Sequence, residues 1–328
     1  MLLAGDVGGT KTLIGLFARN ATRPKLIESR TYPTNDYGGL GALVAQFLRD
    51  VSAAPSDIDA AAFGVAGPIE GTRARLTNVS WLVDVDALHD EVGIPRAALM
   101  NDLEALAWSV PVLGTGEIEV LHEGDPDPDG NIGLIAAGTG LGIAQLVNVG
   151  GRLVPRASEG GHVDFAARTD AERRLALALA TEFGRVDVER VVSGPGIANI
   201  YRLLYPHSCP ALSPPPSTDD LPPAISRAAL KDGCADCRRI LELFVSAYGA
   251  AAGNLALTVL ATGGVFLGGG IAPRILEALQ WPLFMRSFLD KSPMEALVSR
   301  MPVKVITNAG AGLLGAACAA GRHEPVLP

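Results

Sequence analysis

LLAGDVGGTKTLIGLF, residues Leu2 to Phe17, is the stretch on which the fold turns. An apolar run, Leu2-Leu3-Ala4, meets Gly5-Asp6-Val7, then Gly8-Gly9-Thr10, and Leu13 to Phe17 is apolar again. The local reading is strand, glycine turn, strand: a β-hairpin with a carboxylate at its entrance. Lacking Cβ atoms, Gly8 and Gly9 let the turn bring backbone N–H groups up to an anion. Thr10 and Lys11 add a hydroxyl and a cation beside it. Taken alone, the stretch reads either as a phosphate cradle or as an ordinary hairpin with two turn glycines.

Working outward, Asn131 to Asn148 (NIGLIAAGTGLGIAQLVN) repeats the plan: apolar strand, glycine turn containing Thr, apolar strand. Such an echo marks two similar halves. A Walker loop needs G-x-x-x-x-G-K-[ST] between a strand and a helix, and here Thr10 parts Gly9 from Lys11. The dinucleotide fingerprint also leads into a helix, and Gly138-Thr139-Gly140-Leu141-Gly142 misses its spacing. Both turns join two strands instead.

The 328 residues suffice for two domains, each with its own core. A net charge of −8 with no basic run argues against a nucleic-acid partner. The start lacks the basic region of a signal peptide, and no apolar run reaches the length of a membrane span, so a cytoplasmic protein with no membrane partner is expected. Four cysteines in so long a chain read as reduced. Cys234 and Cys237 form a C-x-x-C, but a structural zinc site needs four ligands, and Cys209 and Cys318 stand isolated in the sequence. A thioredoxin-like pair is disfavoured because the motif opens a helical stretch.

Strands alternate with helices throughout, which predicts an α/β protein. The patterns predict a strand over Lys25 to Tyr32, a helix over Gly38 to Asp50 and a buried strand over Ala60 to Val65. A strand over Ala97 to Met100 runs into a helix over Asp102 to Ser109, with Asn101 at the cap position. Gly114 to Gly130, acidic and glycine-rich, predicts an exposed loop with the domain change at its beginning. Pro206 to Pro223 predicts a surface excursion without a helix. A long helix over Asp236 to Leu260 precedes a strand into Gly268-Gly269-Gly270, and the last strand, Val303 to Ile306, leads into a helix around Ala311 to Ala320.

Paired glycine hairpins plus a late triple glycine resemble the sugar kinase, hsp70 and actin superfamily, and within it the bacterial glucokinase family. The resemblance rests on GDVGGT (Gly5 to Thr10), LTNVSW (Leu76 to Trp81), Asn101-Asp102, AAGTGLG (Ala136 to Gly142), EGGHVDF (Glu159 to Phe165), ERVVSGPG (Glu189 to Gly196), CADCRR (Cys234 to Arg239), GGVFLGGGIAPR (Gly263 to Arg274) and GLLGAA (Gly312 to Ala317). These segments run in family order over essentially the whole chain. The resemblance implies a two-domain actin-like ATPase (ribonuclease H-like) fold with a nucleotide and sugar cleft. Its small α/β domain would be residues 1–112 plus 305–328, and its larger α+β domain 113–304.

The same resemblance implies ATP- and Mg²⁺-dependent phosphorylation of glucose on its 6-hydroxyl, and a homodimer. Asn101, Asp102, Glu159, His162 and Glu189 would hold the sugar, with Asp102 as catalytic base. Gly5, Asp6, Val7, Gly8, Gly9 and Thr10 of the first turn and Gly138, Thr139 and Gly140 of the second would cradle phosphates. Gly268, Gly269, Gly270 and Ile271 would line the adenosine pocket. Lys11 stands where many members carry Asn. Related repressor/kinase proteins often have Lys there, but they carry a cysteine-rich zinc motif after their EGGH, where this chain has VDFAAR.

These residue types suit phosphoryl transfer, which depends on positioning and charge neutralisation. Asp6 suits an outer, water-mediated partner of Mg²⁺, or only a turn cap. Asp102, in the first turn of a helix, is expected to be held ionised by the helix dipole and so to accept a hydroxyl proton; Asn101-Asp102 also reads as a plain helix cap. Glu159 and Glu189 accept from vicinal hydroxyls, and His162 both donates and accepts. Mannose or glucosamine in place of glucose, or a hexose-sensing regulator without turnover, remain alternatives. A DNA-acting regulator would need an added helix-turn-helix, for which no room is expected before Leu2.

Overall fold

The computed structural model describes residues 1–67, 69–76, 81–205, 209, 212 and 216–322. Thr77 to Ser80 of the LTNVSW segment, and most of the proline-rich run over 206–215, lie outside the described residues. The chain forms two compact units, Met1–Gly114 with Asn308–Pro328, and Thr115–Thr307.

In chain order the first unit holds β1 (Leu2–Val7), β2 (Lys11–Ala18), β3 (Lys25–Pro33), α1 (Leu40–Asp50), β4 (Ala60–Val65), β5 (Ile69–Glu70), β6 (Arg73–Arg75), β7 (Leu82–Asp84), α2 (Val85–Val92), β8 (Ala97–Asn101) and α3 (Asp102–Ser109). The second holds β9 (Ile118–His122), β10 (Ile132–Ala137), β11 (Leu141–Val149), β12 (Arg152–Ser158), α4 (Asp170–Phe183), α5 (Gly194–Leu204), α6 (Leu221–Leu230), α7 (Ala235–Val259), β13 (Gly264–Gly268), α8 (Leu276–Leu279), α9 (Pro282–Leu289), α10 (Glu295–Val298) and β14 (Val303–Ile306). The chain then returns to the first unit as α11 (Ala311–Ala320).

The first sheet has the order β3-β2-β1-β4-β8, and the main sheet of the second unit β12-β11-β10-β13-β14-β9. In both, the first three strands form an antiparallel meander and the next two run parallel to its first strand. The echo between the two glycine stretches is therefore an echo of sheet topology. Short β5, β6 and β7 form a separate antiparallel sheet in the first unit.

Strand alternation divides the first unit's core. Leu3 and Val7 pack with α1 and α2 residues such as Leu43, Phe47 and Leu88. Leu2 and Ala4 pack on the other face with Ala105 and Trp108 of α3 and Leu313, Leu314 and Ala317 of α11. Asp6 keeps the phase of Leu2 and Ala4, so the period of two aims its carboxyl toward α3 and α11.

Three expectations need correction. Gly114 to Gly130 is not all loop: β9 pairs antiparallel with β14 at the sheet edge. Its acidic sequence hid a strand that exposes much of its surface, as an edge strand does. Leu221 to Pro223 begin α6, because proline is tolerated in a helix's first turn, where the missing N–H has no partner to lose. Finally, α7 is long and apolar enough to cross a membrane, but it is largely buried inside the second unit, against α5, α6 and α9.

Candidate active site

In the first unit, β1 and β2 pair from Leu2–Phe17 to Val7–Thr12, leaving Gly8 to Lys11 as the turn. The Gly8 amide donates to the Lys11 carbonyl at 3.1 Å. Thr34, just beyond β3, braces the turn. Its hydroxyl donates to the Gly8 carbonyl at 2.8 Å and lies 2.9 Å from the buried Thr12 hydroxyl, and its amide donates to the Thr10 carbonyl at 3.0 Å.

Asp6 pairs with Leu13, one position before the end of β1, facing the helices. Burial, with the Asp102 charge adding to it, pushes its pKa up to about 6. Asn101 caps α3 by accepting from the Leu103 amide at 3.0 Å, and Asp102 Oδ1 accepts from the same amide at 2.8 Å. The helix-end amide favours the Asp102 carboxylate, as expected from the sequence, but the net direction is the reverse. Although its side chain is open to water, the protein crowded around it removes enough solvation to raise its pKa above the usual carboxylate range. Glycine at position 64 makes this approach possible: a Cβ there would lie 2.8 Å from Ala105 Cβ and 3.5 Å from Asp102 Cα.

Two carboxylates sharing a crowded face repel one another, and a divalent cation relieves that repulsion. Asp6, the less exposed of the two, therefore fits a hard cation bound through oxygen.

In the second unit, β10 and β11 pair from Ile132–Leu146 to Ala137–Leu141, leaving Gly138, Thr139 and Gly140 as the turn. The Gly138 amide donates to the Gly140 carbonyl at 2.8 Å. Ser193 caps α5, and at that helix's start the Gly194 amide donates to the Gly138 carbonyl at 2.8 Å. Glu189 Oε2 accepts from the Leu141 amide at 2.7 Å, and the Glu189 carbonyl accepts from the Ser193 hydroxyl at 2.7 Å. Beyond β13, the Ile271 amide donates to the Ala137 carbonyl at 3.2 Å, which joins the Gly268 to Ile271 segment to the same hairpin.

Glu159 and His162 flank a short turn after β12. Glu159 is 92% exposed, with its Oε2 3.9 Å from His162 Nε2. His162 Nδ1 lies 3.4 Å from Asp187 Oδ2. Gly161 lets this turn press against β11, since a Cβ there would overlap the Leu141 carbonyl. The structure thus gathers Gly5 to Thr10, Asn101 and Asp102 in one unit. In the other it gathers Gly138 to Gly140, Glu159, His162, Glu189 and Gly268 to Ile271. Sequence reasoning missed Thr34, Gly64 and Asp187, whose partners named here lie 22 or more residues away and leave no local signal.

The protein family model for glucokinase matches residues 3–323. A glucokinase from Synechocystis is 39% identical over 345 aligned residues, covering 97% of each chain. The crystal structure of a glucokinase from an Antarctic psychrotroph superposes with a TM-score of 0.84 at 32% identity, covering 97% of this chain and 98% of that one. A ROK-family glucokinase from Streptomyces griseus, solved with glucose and AMPPNP, matches in fold with a TM-score of 0.64 at 21% identity, over 97% and 98% of the two chains. The duplicated β3-β2-β1-β4-β8 topology is that of the actin-like ATPases, and the chain belongs to the glucokinase family.

Proposed function

We propose that this enzyme transfers the γ-phosphoryl group of ATP to the 6-hydroxyl of glucose, with Asp102 as general base. The observation that carries the assignment is Asp102 itself: a carboxylate at the start of α3, open to water, with a pKa raised above that of an ordinary aspartate. A raised pKa makes a better proton acceptor as long as the group stays ionised at working pH. In the step proposed, the sugar's O–H bond breaks and its proton passes to Asp102 Oδ. The freed oxygen pair bonds to phosphorus while the bond to the departing ADP oxygen breaks. Asn101, Glu159, His162 and Glu189 bind the sugar hydroxyls.

The two glycine turns offer backbone N–H donors to the phosphates, with Gly268 to Ile271 lining the adenosine site. Such donors stabilise developing charge without side-chain bulk. Asp6 would hold Mg²⁺ through water, and the ion would supply charge neutralisation at the phosphates. The setting we propose is cytoplasmic, and the assembly a homodimer.

A coupled ADP-release assay with glucose, mannose and glucosamine tests the reading, run on wild type and Asp102→Ala with glucose binding followed by calorimetry. The expected result is turnover highest with glucose, lost in the variant while glucose still binds. Equal turnover in the variant removes Asp102 as base. Higher kcat/KM with mannose or glucosamine reassigns the substrate, and binding without turnover in wild type leaves a sensor.

A further inference from the structure

Cys234 and Cys237 looked unpartnered in the sequence, and the fold changes that. Cys209, 25 residues before Cys234, comes down beside them, and the sulfurs of Cys209, Cys234 and Cys237 all lie within 4.8 Å of one another. Cys234 Sγ donates to Cys209 Sγ at 2.7 Å. None of the three is in a disulfide, and Cys209 and Cys237 are buried in the second unit's core.

From this cluster we infer that Cys209, Cys234 and Cys237 form a three-thiolate site for one thiophilic d¹⁰ cation, Cu⁺, or Zn²⁺ with a water as its fourth ligand. Three observations converge on it. Three sulfurs around a cation at about 2.3 Å stand roughly 3.8 Å apart, between the 2.7 Å of the Cys209–Cys234 pair and the 4.8 Å that bounds the cluster, so sulfur movements of about 1 Å, opening that pair, would seat the ion. All three ligands are soft, and soft ligands select zinc or monovalent copper over the hard Mg²⁺ of the reaction. Cys234 is the N-cap residue of α7, where the positive helix end favours a thiolate. The C-x-x-C spacing presents two ligands from one helix start, and Cys209 supplies the third from a separate segment. On binding, the three S–H bonds break and three protons leave to solvent, so affinity falls as pH falls. The bound ion would staple the chain around Cys209 to the start of α7. This inference is independent of the catalytic assignment, because no residue of the proposed sugar or phosphate sites takes part.

The test uses the whole protein, reduced and stripped with a chelator. Titration with Co²⁺ is expected to produce sulfur-to-cobalt charge-transfer absorption saturating at one ion per chain and abolished by one equivalent of Zn²⁺. A parallel titration with Cu⁺ against a chromogenic chelator tells which cation binds more tightly, and tight binding of either supports the site. Bound metal should protect the partly exposed Cys234 from iodoacetamide and leave Cys318 reactive by mass spectrometry. Cys237→Ser should lose the absorption while Cys318→Ser keeps it. The wild-type alkylation pattern decides the matter even where a variant folds poorly. Absence of the thiolate band together with no tight binding of Cu⁺, or unchanged alkylation of Cys234 with metal present, overturns the proposal. So does formation of a Cys209–Cys234 disulfide under mild peroxide at the same rate with and without Zn²⁺.

Discussion

The two glycine turns sit at equivalent places in equivalent sheets, yet they are held by different means. The Gly8 to Lys11 turn is braced by a side chain, Thr34, and flanked by two carboxyl groups whose pKa values both rise. The Gly138 to Gly140 turn is braced by the start of α5 through the Gly194 amide, and Glu189 holds the adjoining Leu141 amide. Duplication kept the strand order and let the surroundings diverge. The first half collected close-set carboxylates, which suit proton and cation chemistry. The second collected carboxylates and an imidazole spread around loops, which suit reading several hydroxyls. If that division is right, substitutions in the first half should strike kcat and those in the second should strike KM.

Asp102→Ala should show the largest effect, a fall in kcat of about 10²- to 10⁴-fold, the usual worth of general-base catalysis. Glu189→Gln is the counterpart in the second unit, and steady-state kinetics with glucose should show a rise in KM exceeding its loss of kcat. A larger kcat loss from Glu189→Gln than from Asp102→Ala breaks the division. The raised pKa of Asp102 also predicts that the acid limb of the kcat–pH profile lies above the ordinary aspartate range, with activity falling as pH drops through it.

Asp6→Asn sharpens the comparison through stability. The folded-state pKa of about 6 exceeds the unfolded value of 3.8, so the wild-type carboxyl favours folding below pH 3.8 and loses that contribution as pH rises through 6. In chelator, the variant should therefore be more stable than wild type at pH 7.5, by at most about 3 kcal/mol, with the difference vanishing near pH 4. Urea melts at the two pH values measure it. An equal difference at both means that Asp6 acts through shape and not charge.

Gly161→Ala should cost about 1–3 kcal/mol by forcing the Glu159 to His162 turn off β11, the usual range for overpacking. Urea melts should show the loss and glucose titration a weaker Kd. A neutral result means the turn is free to move, and that the Glu159 to His162 side of the second unit is less rigid than the first unit's helix start.

What was legible in the sequence was local. Leu2 to Phe17 and Asn131 to Asn148 announce hairpins because alternation and turn glycines lie within one window, and Asn101 announces a cap three residues from the amide it serves or closer. The rest depended on partners distant in the chain. β9 exists because β14 arrives 180 residues or so later to pair with it. Cys209 appears isolated until α7 turns its first residues toward it. At Asp102 the helix start supplies the local force toward the carboxylate, and the non-local crowding by the surrounding chain outweighs it.

The smallest predicted effect on catalysis isolates how the first turn is braced. Thr34 is wholly buried, and its one hydroxyl serves both the Gly8 carbonyl and the Thr12 hydroxyl. Thr34→Val keeps the shape and removes that donor and acceptor, leaving both partners without it in a site that excludes water. A net hydrogen bond is worth about 1 kcal/mol, so losing the two should cost about 2 kcal/mol in urea melts. Because the Thr34 amide still holds the Thr10 carbonyl, the turn should keep its backbone course. The KM for ATP should then rise only a few-fold, with kcat on glucose nearly unchanged. A collapse of kcat would mean that the threonine brace also governs Asp6 and Asp102, and that the first turn and its carboxylates work as a single unit.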